Sequence, residues 1–559
     1  MIRVCDFIAD FIYNEGIGHV FLVTGGGMMY LSDGIASQRR IKAISTHHEQ
    51  AAAMAAVSYA KYNDNIGVAY LTSGCGGTNA MTGVLQAWQD NIPCLFISGQ
   101  IMKNQTIRNS GLPLRQVGVQ ESDIVGIVNT ITKYSVMINE PNEIKYHLQK
   151  AVYLARNGRK GPVWLDIPLD VQSAYINESE LKTFCVDEHY PKNSPKQRDL
   201  SFLQKAIAES SRPIIVAGQG IRLAGAIKDF KIFIEKTRIP YVTSHLGIDL
   251  LPYNHPLFIG RIGTKGDRVG NMTVYNSDLV LVIGSRLSIS STGYDFDKFA
   301  PNAKVIVVDI DIIEHKKVGV KIDYFIHCDA KLFLDKMSAS TPAVCSKEWA
   351  DQCSKWKENN PVYTQEFENN KNGVNTYAFI NTLCKNLKDD SVIISDAGTA
   401  WVVTAQAAQL IKKQRHITSG AQAEMGYTLP ATIGVCFSKG EGEVIGITGD
   451  GSFQMNIQEL QTIIHHNLPI KLFIWNNNGY SSIRTTQAEF CEGRFIGIDK
   501  KHGVSFPNTK KIADAYGIRY LSISEQSGME TVIKQALSLN EPVICEVFCQ
   551  KDQKIVIPL

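Results

Sequence analysis

The sequence of 559 residues lacks the marks of several protein classes. No apolar run reaches the ~18–20 residues that a membrane-spanning helix needs, so no membrane association is expected. Neither sign of charge dominates: 57 basic and 54 acidic residues leave a net charge of +3. That balance argues against nucleic acid or an anionic lipid surface as a partner. There are 12 cysteines but no CxxC pair. Scattered thiols fit a reduced, cytoplasmic protein better than a disulfide scaffold. The opening MIRVCDFIADFIYNEG carries acids inside its apolar stretch and reads as an amphipathic helix, not a signal peptide. Low-complexity tracts and short-period repeats are missing too. What is present is an ordinary globular composition, 44% hydrophobic and 20% charged. At ~150 residues per domain, the length suggests three or four domains.

Short apolar strands alternate with helical stretches almost throughout. HVFLV (19–23), IGVAYLTS (66–73), CLFISG (94–99), PIIVAG (213–218), LVLVIGS (279–285), KVIVVDID (304–311) and SVIISDAG (391–398) are examples. Their near-continuous apolarity calls for cover on both faces, hence α/β architecture with parallel sheets. Two polar stretches interrupt the rhythm, 177–200 with Pro191 and Pro195, and 338–361 with Pro342. Read as linkers, they leave three α/β domains at 1–178, 195–340 and 360–559.

The strongest local signal lies in the third of these. A strand over 444–448 runs into Gly449-Asp450-Gly451-Ser452, a helix is expected from Asn456 to about His466, and a second strand over 470–475 ends in Asn476-Asn477-Asn478-Gly479. One crossover helix spans that separation and brings the two strand ends side by side. A carboxylate, an amide oxygen and a backbone carbonyl suit a hard octahedral cation such as Mg²⁺, with phosphate and water completing the shell. Glycines let the chain approach a phosphate, and a helix N-terminus favours the anion. Together they read as a Mg²⁺–diphosphate site.

GDGSFQMNIQEL followed by NNNGY resembles the thiamine-diphosphate binding motif, and the resemblance to the acetolactate synthase-like family extends over nearly the whole chain. It includes Gly25-Gly26-Gly27, HHEQAAAMAA (47–56), TSGCGGTNA (72–80), QES (120–122), Gly284-Ser285-Arg286, Asp309-Ile310-Asp311 and SGAQAEMGYTLPATIG (419–434). The resemblance implies a pyrimidine-binding domain, a central domain and a diphosphate-binding domain. It implies a homodimer or homotetramer whose active sites lie between subunits.

It also assigns roles. Glu49 would hydrogen-bond the pyrimidine ring and help remove the C2 proton of the cofactor, and the apolar AAAMAA setting would favour a shared proton. Met425 would hold the two rings in a V, with the carbonyl of Ala423 accepting from the pyrimidine amine. Gly398, Thr399, Ala400, Gly451 and Ser452 would contact the diphosphate. Asp450, Asn477 and the carbonyl of Gly479 would hold Mg²⁺. Gln120 and Gly26 would polarise a keto oxygen on the substrate side. AGQGIRLAG (217–225) and the 284–311 region resemble the part that holds FAD in the synthases; FAD, ADP or an empty site all stay open.

Three positions depart from the synthases. An arginine that clamps the carboxylate of a second 2-oxo acid aligns with Ser290, a lysine with Leu169, and a tryptophan near Thr486. Serine cannot replace a bidentate arginine. The expected reaction is therefore decarboxylation of a 2-oxo acid, with the acyl anion passing to an aldehyde or ketone. Relatives with this departure resemble enzymes of unusual-sugar biosynthesis in bacterial surface polysaccharides. The alternatives are acetolactate synthase proper, a simple 2-oxo acid decarboxylase, a non-catalytic nucleotide-binding homologue, or a flavin or nicotinamide oxidoreductase built on the central domain.

Overall fold

Strands that are apolar on both faces need cover on both, and the first and third sheets each divide their residues between two cores, while the middle sheet packs into one. The computed structural model describes residues 1–186, 193–340, 343–368, 372–551 and 553–557; Pro191 and Pro342 lie outside these. It contains three six-stranded parallel sheets. The first holds β1 (His19–Leu22), β2 (Lys42–Ser45), β3 (Gly67–Leu71), β4 (Cys94–Gln100), β5 (Tyr134–Met137) and β6 (Pro162–Pro168), in the order β2-β1-β3-β4-β6-β5. The second holds β7 (Pro213–Ala217), β8 (Tyr241–Thr243), β9 (Phe258–Arg261), β10 (Leu279–Ile283), β11 (Lys304–Asp309) and β12 (Tyr324–His327), in the order β9-β8-β7-β10-β11-β12. The third holds β13 (Val392–Ser395), β14 (Arg415–Thr418), β15 (Val444–Gly449), β16 (Lys471–Asn476), β17 (Arg519–Ile523) and β18 (Val543–Phe548), in the order β14-β13-β15-β16-β18-β17. Within each sheet the first and third therefore share one strand order, 2-1-3-4-6-5, while the middle sheet runs 3-2-1-4-5-6. A short antiparallel pair, Ile2–Arg3 with Tyr175–Ile176, ties the chain start to the end of the first domain.

Alternate residues of the first sheet enter different cores. Val20, Val68 and Leu165 pack with the opening helix Val4–Asn14. Phe21, Ala69 and Trp164 face the other way, into a core that also takes Ile394, Ile417 and Ile474 of the third sheet. Two helices bridge this shared core: α1 (Glu49–Asn63) and, further along, the helix Thr428–Lys439. Alanines at 51, 52, 53, 55 and 56 let their backbones come close. At Gly434 a Cβ would stand 2.1 Å from the carbonyl oxygen of Ala55, so only glycine fits.

The stretch 338–361 is not a linker. Lys347–Asn359 is a helix, and its Trp349 and Cys353 are buried in the central core. The Trp349 indole donates to the carbonyl of Pro213 on β7 over 2.9 Å. A tryptophan and a cysteine four residues apart were the apolar face that the surrounding charges concealed. Likewise the stretch 177–200 ends in a helix, Gln197–Glu209, whose Leu200 and Leu203 join the same core. Among the described residues, no helix is long and apolar enough to cross a membrane.

A buried ion cluster locks the three domains. Asp249 of the central domain pairs with Arg222 at 3.0 Å and with Arg415 of β14 at 2.6 Å. Arg415 also donates to the carbonyl of Lys61 over 3.1 Å, capping the end of α1. Burial alone would raise the Asp249 carboxyl, but the two arginines outweigh it and hold it at about 2. Its folded value thus lies below the ordinary ~4. The resulting stabilisation, about 2 kcal/mol, is complete above pH ~4 and disappears as the pH falls from there towards 2. The urea midpoint of Asp249→Asn should therefore lie well below that of the wild type at pH 7, with the gap narrowing below pH ~4. A gap independent of pH would show that the carboxylate charge is not what holds the junction.

Candidate active site

In open parallel sheets, ligands bind beyond the carboxyl ends of the strands, where neighbouring connections diverge. All three sheets have such a point. In the first it lies between β1 and β3, in the second between β7 and β10, and in the third between β13 and β15.

Beyond β1 and β3 the chain forms two glycine turns in contact: a Cβ at Gly25 would stand 2.5 Å from Oγ1 of Thr72. Gly26 is exposed, with open space beside it. Glu49 starts α1 next to these turns and is buried. Asn79 donates to its Oε2 over 2.9 Å, and a Cβ at Gly76 would stand 3.4 Å from its Oε1. Gln120 lies on an exposed loop in the left-handed region (φ +60°), and its carbonyl backs onto Gly74. So Gly26, Glu49 and Gln120 each lie on or beside these glycine turns. His48 is structural: its Nδ1 accepts from the Gln50 N–H over 3.1 Å and caps α1. The backbone N–H of His47 donates to Glu459 of the third domain over 3.0 Å.

Beyond β13 and β15 the third domain offers a carboxylate and open donors. Asp450 is buried; its carboxylate accepts from the N–H groups of Gly451 (2.9 Å) and Gly479 (3.1 Å). Burial pushes its carboxyl up to about 6 despite those bonds. Asn477 follows the adjacent strand β16, and its Oδ1 is buried without a hydrogen-bond partner. A buried amide oxygen left unpaired is costly, and a cation beside Asp450 would satisfy it. The Gly479 carbonyl accepts from the Ser481 N–H over 3.1 Å, so only its second lone pair is available. α2 (Gly398–Ala407) follows β13, and no side chain caps its N-terminus. Gly398, Thr399 and Ala400 thus present first-turn donors to an anion. Close approach explains Gly451, where a Cβ would meet the Tyr480 ring at 2.2 Å.

Two features differ from expectation. The segment after the GDG turn is not an α-helix from Asn456; it is a 3₁₀ helix, Ser452–Glu459, kinked at Asn456, followed by the helix Leu460–His465. The kink lets the Asn456 amide donate to Gln50 of α1 (3.0 Å) and to the carbonyl of Gly426 (2.8 Å). The Ser452 hydroxyl is taken up within the domain. It donates to Asp396 over 2.6 Å and accepts from the Gly426 N–H over 2.8 Å. Asp396, buried at the end of β13, also accepts from Thr448 and Ala397, and burial raises its carboxyl. It ties together the turns carrying Gly398, Ser452 and Met425. Sequence reasoning passed over it, although an aspartate closing an apolar strand (SDAG) was visible. Thr72 and Asn79 stood inside a quoted motif and were likewise not singled out.

The central switch point opens into a cavity of about 690 Å³ between the domains. Gln219 and Gly220 after β7, Gly284 and Ser285 after β10, Asp309 of β11 and Arg159 of the first domain line it. The middle sheet's strand order is that of doubly wound dinucleotide-binding sheets, and glycine turns with nearby cations fit a nucleotide's phosphates. Arg159 pairs with Asp311 (2.8 Å) and Glu314 (2.7 Å). Ser290 also lines the cavity, with its hydroxyl 2.7 Å from that of Ser288. Leu169 starts the short helix after β6, and Thr486 is exposed on the helix Ser481–Phe490.

Glycine-lined switch points in the first and third sheets, with a nucleotide-sized cavity at the central one, describe an α/β enzyme built around a diphosphate-bearing cofactor. Residues 2–126 match the thiamine pyrophosphate enzyme N-terminal TPP binding domain, 200–337 the central domain and 396–547 the C-terminal TPP binding domain. The chain is 32% identical to the acetolactate synthase large subunit of Lactococcus lactis, over 97% of this chain and 91% of that protein. It is 29% identical to acetolactate synthase isozyme 3 large subunit of Escherichia coli, over 96% and 92%. With the probable acetolactate synthase large subunit of Methanocaldococcus jannaschii the identity is 31%, over 95% and 89%. The chain belongs to the thiamine pyrophosphate enzyme family. Within it, this is a thiamine-diphosphate-dependent enzyme of the acetolactate synthase-like type.

Ala423 and Met425 lie on the segment leading to the helix Thr428–Lys439, both half-buried. Ala423 adopts φ +50°, a left-handed conformation costing an L residue ~1–2 kcal/mol. That strain sets the direction of its carbonyl. Ala423→Gly should raise the urea-derived stability by up to ~1 kcal/mol, whereas Ala423→Val should lower it by more than ~1 kcal/mol. Equal effects of the two would show that the turn carries no strain.

Proposed function

We propose that this enzyme, with thiamine diphosphate held through Mg²⁺, decarboxylates a 2-oxo acid and passes the acyl anion to an aldehyde or ketone, in the making of an unusual sugar or surface polysaccharide. The observation carrying the metal is the unpartnered amide oxygen of Asn477 at the strand end beside Asp450. Asp450, Asn477 and the carbonyl of Gly479 hold the ion, and the first-turn amides of α2 with Gly451 hold the diphosphate. When bound, the cofactor supplies the carbanion at C2 of its thiazolium ring. Asn79 fixes one oxygen of the Glu49 carboxyl, leaving the other to share a proton with the pyrimidine ring. The carbonyl of Ala423 and the side chain of Met425 orient the two rings. Gln120 and the amides around Gly26 donate to the keto oxygen as negative charge develops on it.

The active unit is a homodimer or homotetramer. Support comes from exposed apolar side chains around the candidate site, Leu112, Val117 and Val119 beside Gln120, and Phe490 and Ile496 on the third domain. A second copy would bury them. The central cavity takes FAD or an adenine nucleotide. Twelve free cysteines support a reducing cytoplasm.

The choice of acceptor rests on Ser290, which offers no cationic fork to a second carboxylate. A second reading, acetolactate synthase proper, is favoured by the names of the relatives. Incubation with pyruvate alone and with aldehydes or ketones separates the two, reading CO₂ release and product mass: efficient acetolactate formation would overturn the acceptor assignment. In the same assay Glu49→Gln should lose at least ~100-fold in turnover while binding thiamine diphosphate and Mg²⁺ as the wild type does. Retained turnover would remove Glu49 from the reaction.

A further inference from the structure

The segment carrying Ala423 and Met425 is held from outside its own domain. Lys61, near the end of α1, donates from Nζ to the carbonyl of Thr418 over 2.6 Å and to Asp90 Oδ2 over 2.7 Å. Asp90, which ends the helix Met81–Gln89, accepts from two successive backbone amides: Gly420 on Oδ2 and Ala421 on Oδ1, both at 3.0 Å. Both side chains are almost fully buried, at 5% and 1% exposure. Three hydrogen bonds from the first domain thus grip residues 418–421, just before the strained Ala423. A buried ion pair is weak evidence for stability by itself, because desolvating two charges offsets their attraction. Its bonds to the backbone set geometry instead.

We propose that Lys61 and Asp90 are positioning residues: their grip on residues 418–421 sets the carbonyl of Ala423 and the side chain of Met425 for the aminopyrimidine, so that Glu49-dependent proton removal from C2 proceeds. The proposal rests on the thiamine-diphosphate reading above. Lys61 sits on the helix that begins with Glu49, about 18 Å further along its axis. With active sites between subunits, this rod carries the acid of one site at one end and the grip on the ring-orienting segment of another site at its far end. Glu424, between Ala423 and Met425, lies close enough to feel both charges, and burial pushes its carboxyl up to about 7. Gly420 and Ala421 also line the central cavity, so the gripped segment forms part of its wall.

The test uses the full-length protein loaded with thiamine diphosphate and Mg²⁺. Three quantities are read: deuterium exchange at C2 of the bound cofactor by quenched-flow NMR, cofactor affinity by tryptophan fluorescence, and melting temperature without cofactor. Asp90→Asn keeps the shape but gives up one of two acceptors; it should slow exchange about tenfold or more with cofactor affinity close to wild type, while the melting temperature falls because Lys61 is left buried without its counter-charge. Lys61→Met should do the same, and Lys61→Arg should restore exchange to within about threefold. Should Asp90→Asn not fold, Asp90→Glu retains the charge and shifts the carboxylate by one methylene, and slowed exchange is expected there too. Variants that fold and exchange at the wild-type rate, or that lose exchange only in proportion to lost cofactor binding, would overturn the positioning role alone. A wild type that binds no thiamine diphosphate would overturn the underlying reading, and this proposal with it.

Discussion

The candidate site depends on one close helix contact. α1 of the first domain and the helix Thr428–Lys439 of the third share a core in which an Ala-rich face meets Gly434 at backbone distance. Larger side chains at that contact would push the two sheets apart. With the contact in place, the carboxyl ends of the first and third sheets are fixed relative to each other, and the polar bonds across the boundary find their partners. His47 reaches Glu459, Gln50 reaches Asn456, and Asp90 reaches Gly420. Each is a directional bond that a displacement of an ångström would break.

Buried arginines complete the frame from the opposite ends of the helices. Arg415 of the third domain caps α1 of the first. Arg261 of the central domain donates to the carbonyls of Gln406 and Ala408 at the end of α2. A cation at a helix C-terminus opposes the negative pole of the helix dipole. The two helices whose N-termini carry candidate site residues are thus each held at the far end by a cation from another domain. Arg261 is fully buried and its bonds go to carbonyls, an arrangement stable only where several backbone acceptors converge. The central domain therefore helps hold the diphosphate-facing helix in place.

The strands and glycine turns could be read from the sequence because they are local. Continuous apolarity marks a strand, and a glycine-aspartate turn at its end marks a site. What escaped depends on partners distant in the chain. The helix Lys347–Asn359 looks polar until Pro213 appears beside Trp349. The kink at Asn456 exists to satisfy Gln50, 406 residues away. Asp90 and Lys61 carry no local mark in the sequence, since their backbone acceptors and donors lie more than 300 positions later. The shared 2-1-3-4-6-5 order of the outer sheets left no short-period trace, because similar topology needs only a similar pattern of strands and turns.

Burial has also gathered acids around the third domain's switch point. Asp396 is fully buried, Asp450 is held up at about 6, and Glu459 nearby is raised to about 7. Each would be costly as an isolated anion. Asp396 and Glu459 meet that cost with hydroxyl and amide donors. Asp450 has only backbone amides, and its neighbour Asn477 has an unsatisfied oxygen. Of the three, only Asp450 lies where a divalent cation would remove both penalties at once. Such a cation would in turn make the adjacent N-terminus of α2 a better seat for a diphosphate, since the metal and helix pole attract the same anion. The electrostatics of the third domain alone therefore favour a metal diphosphate over either a bare cation or a bare anion.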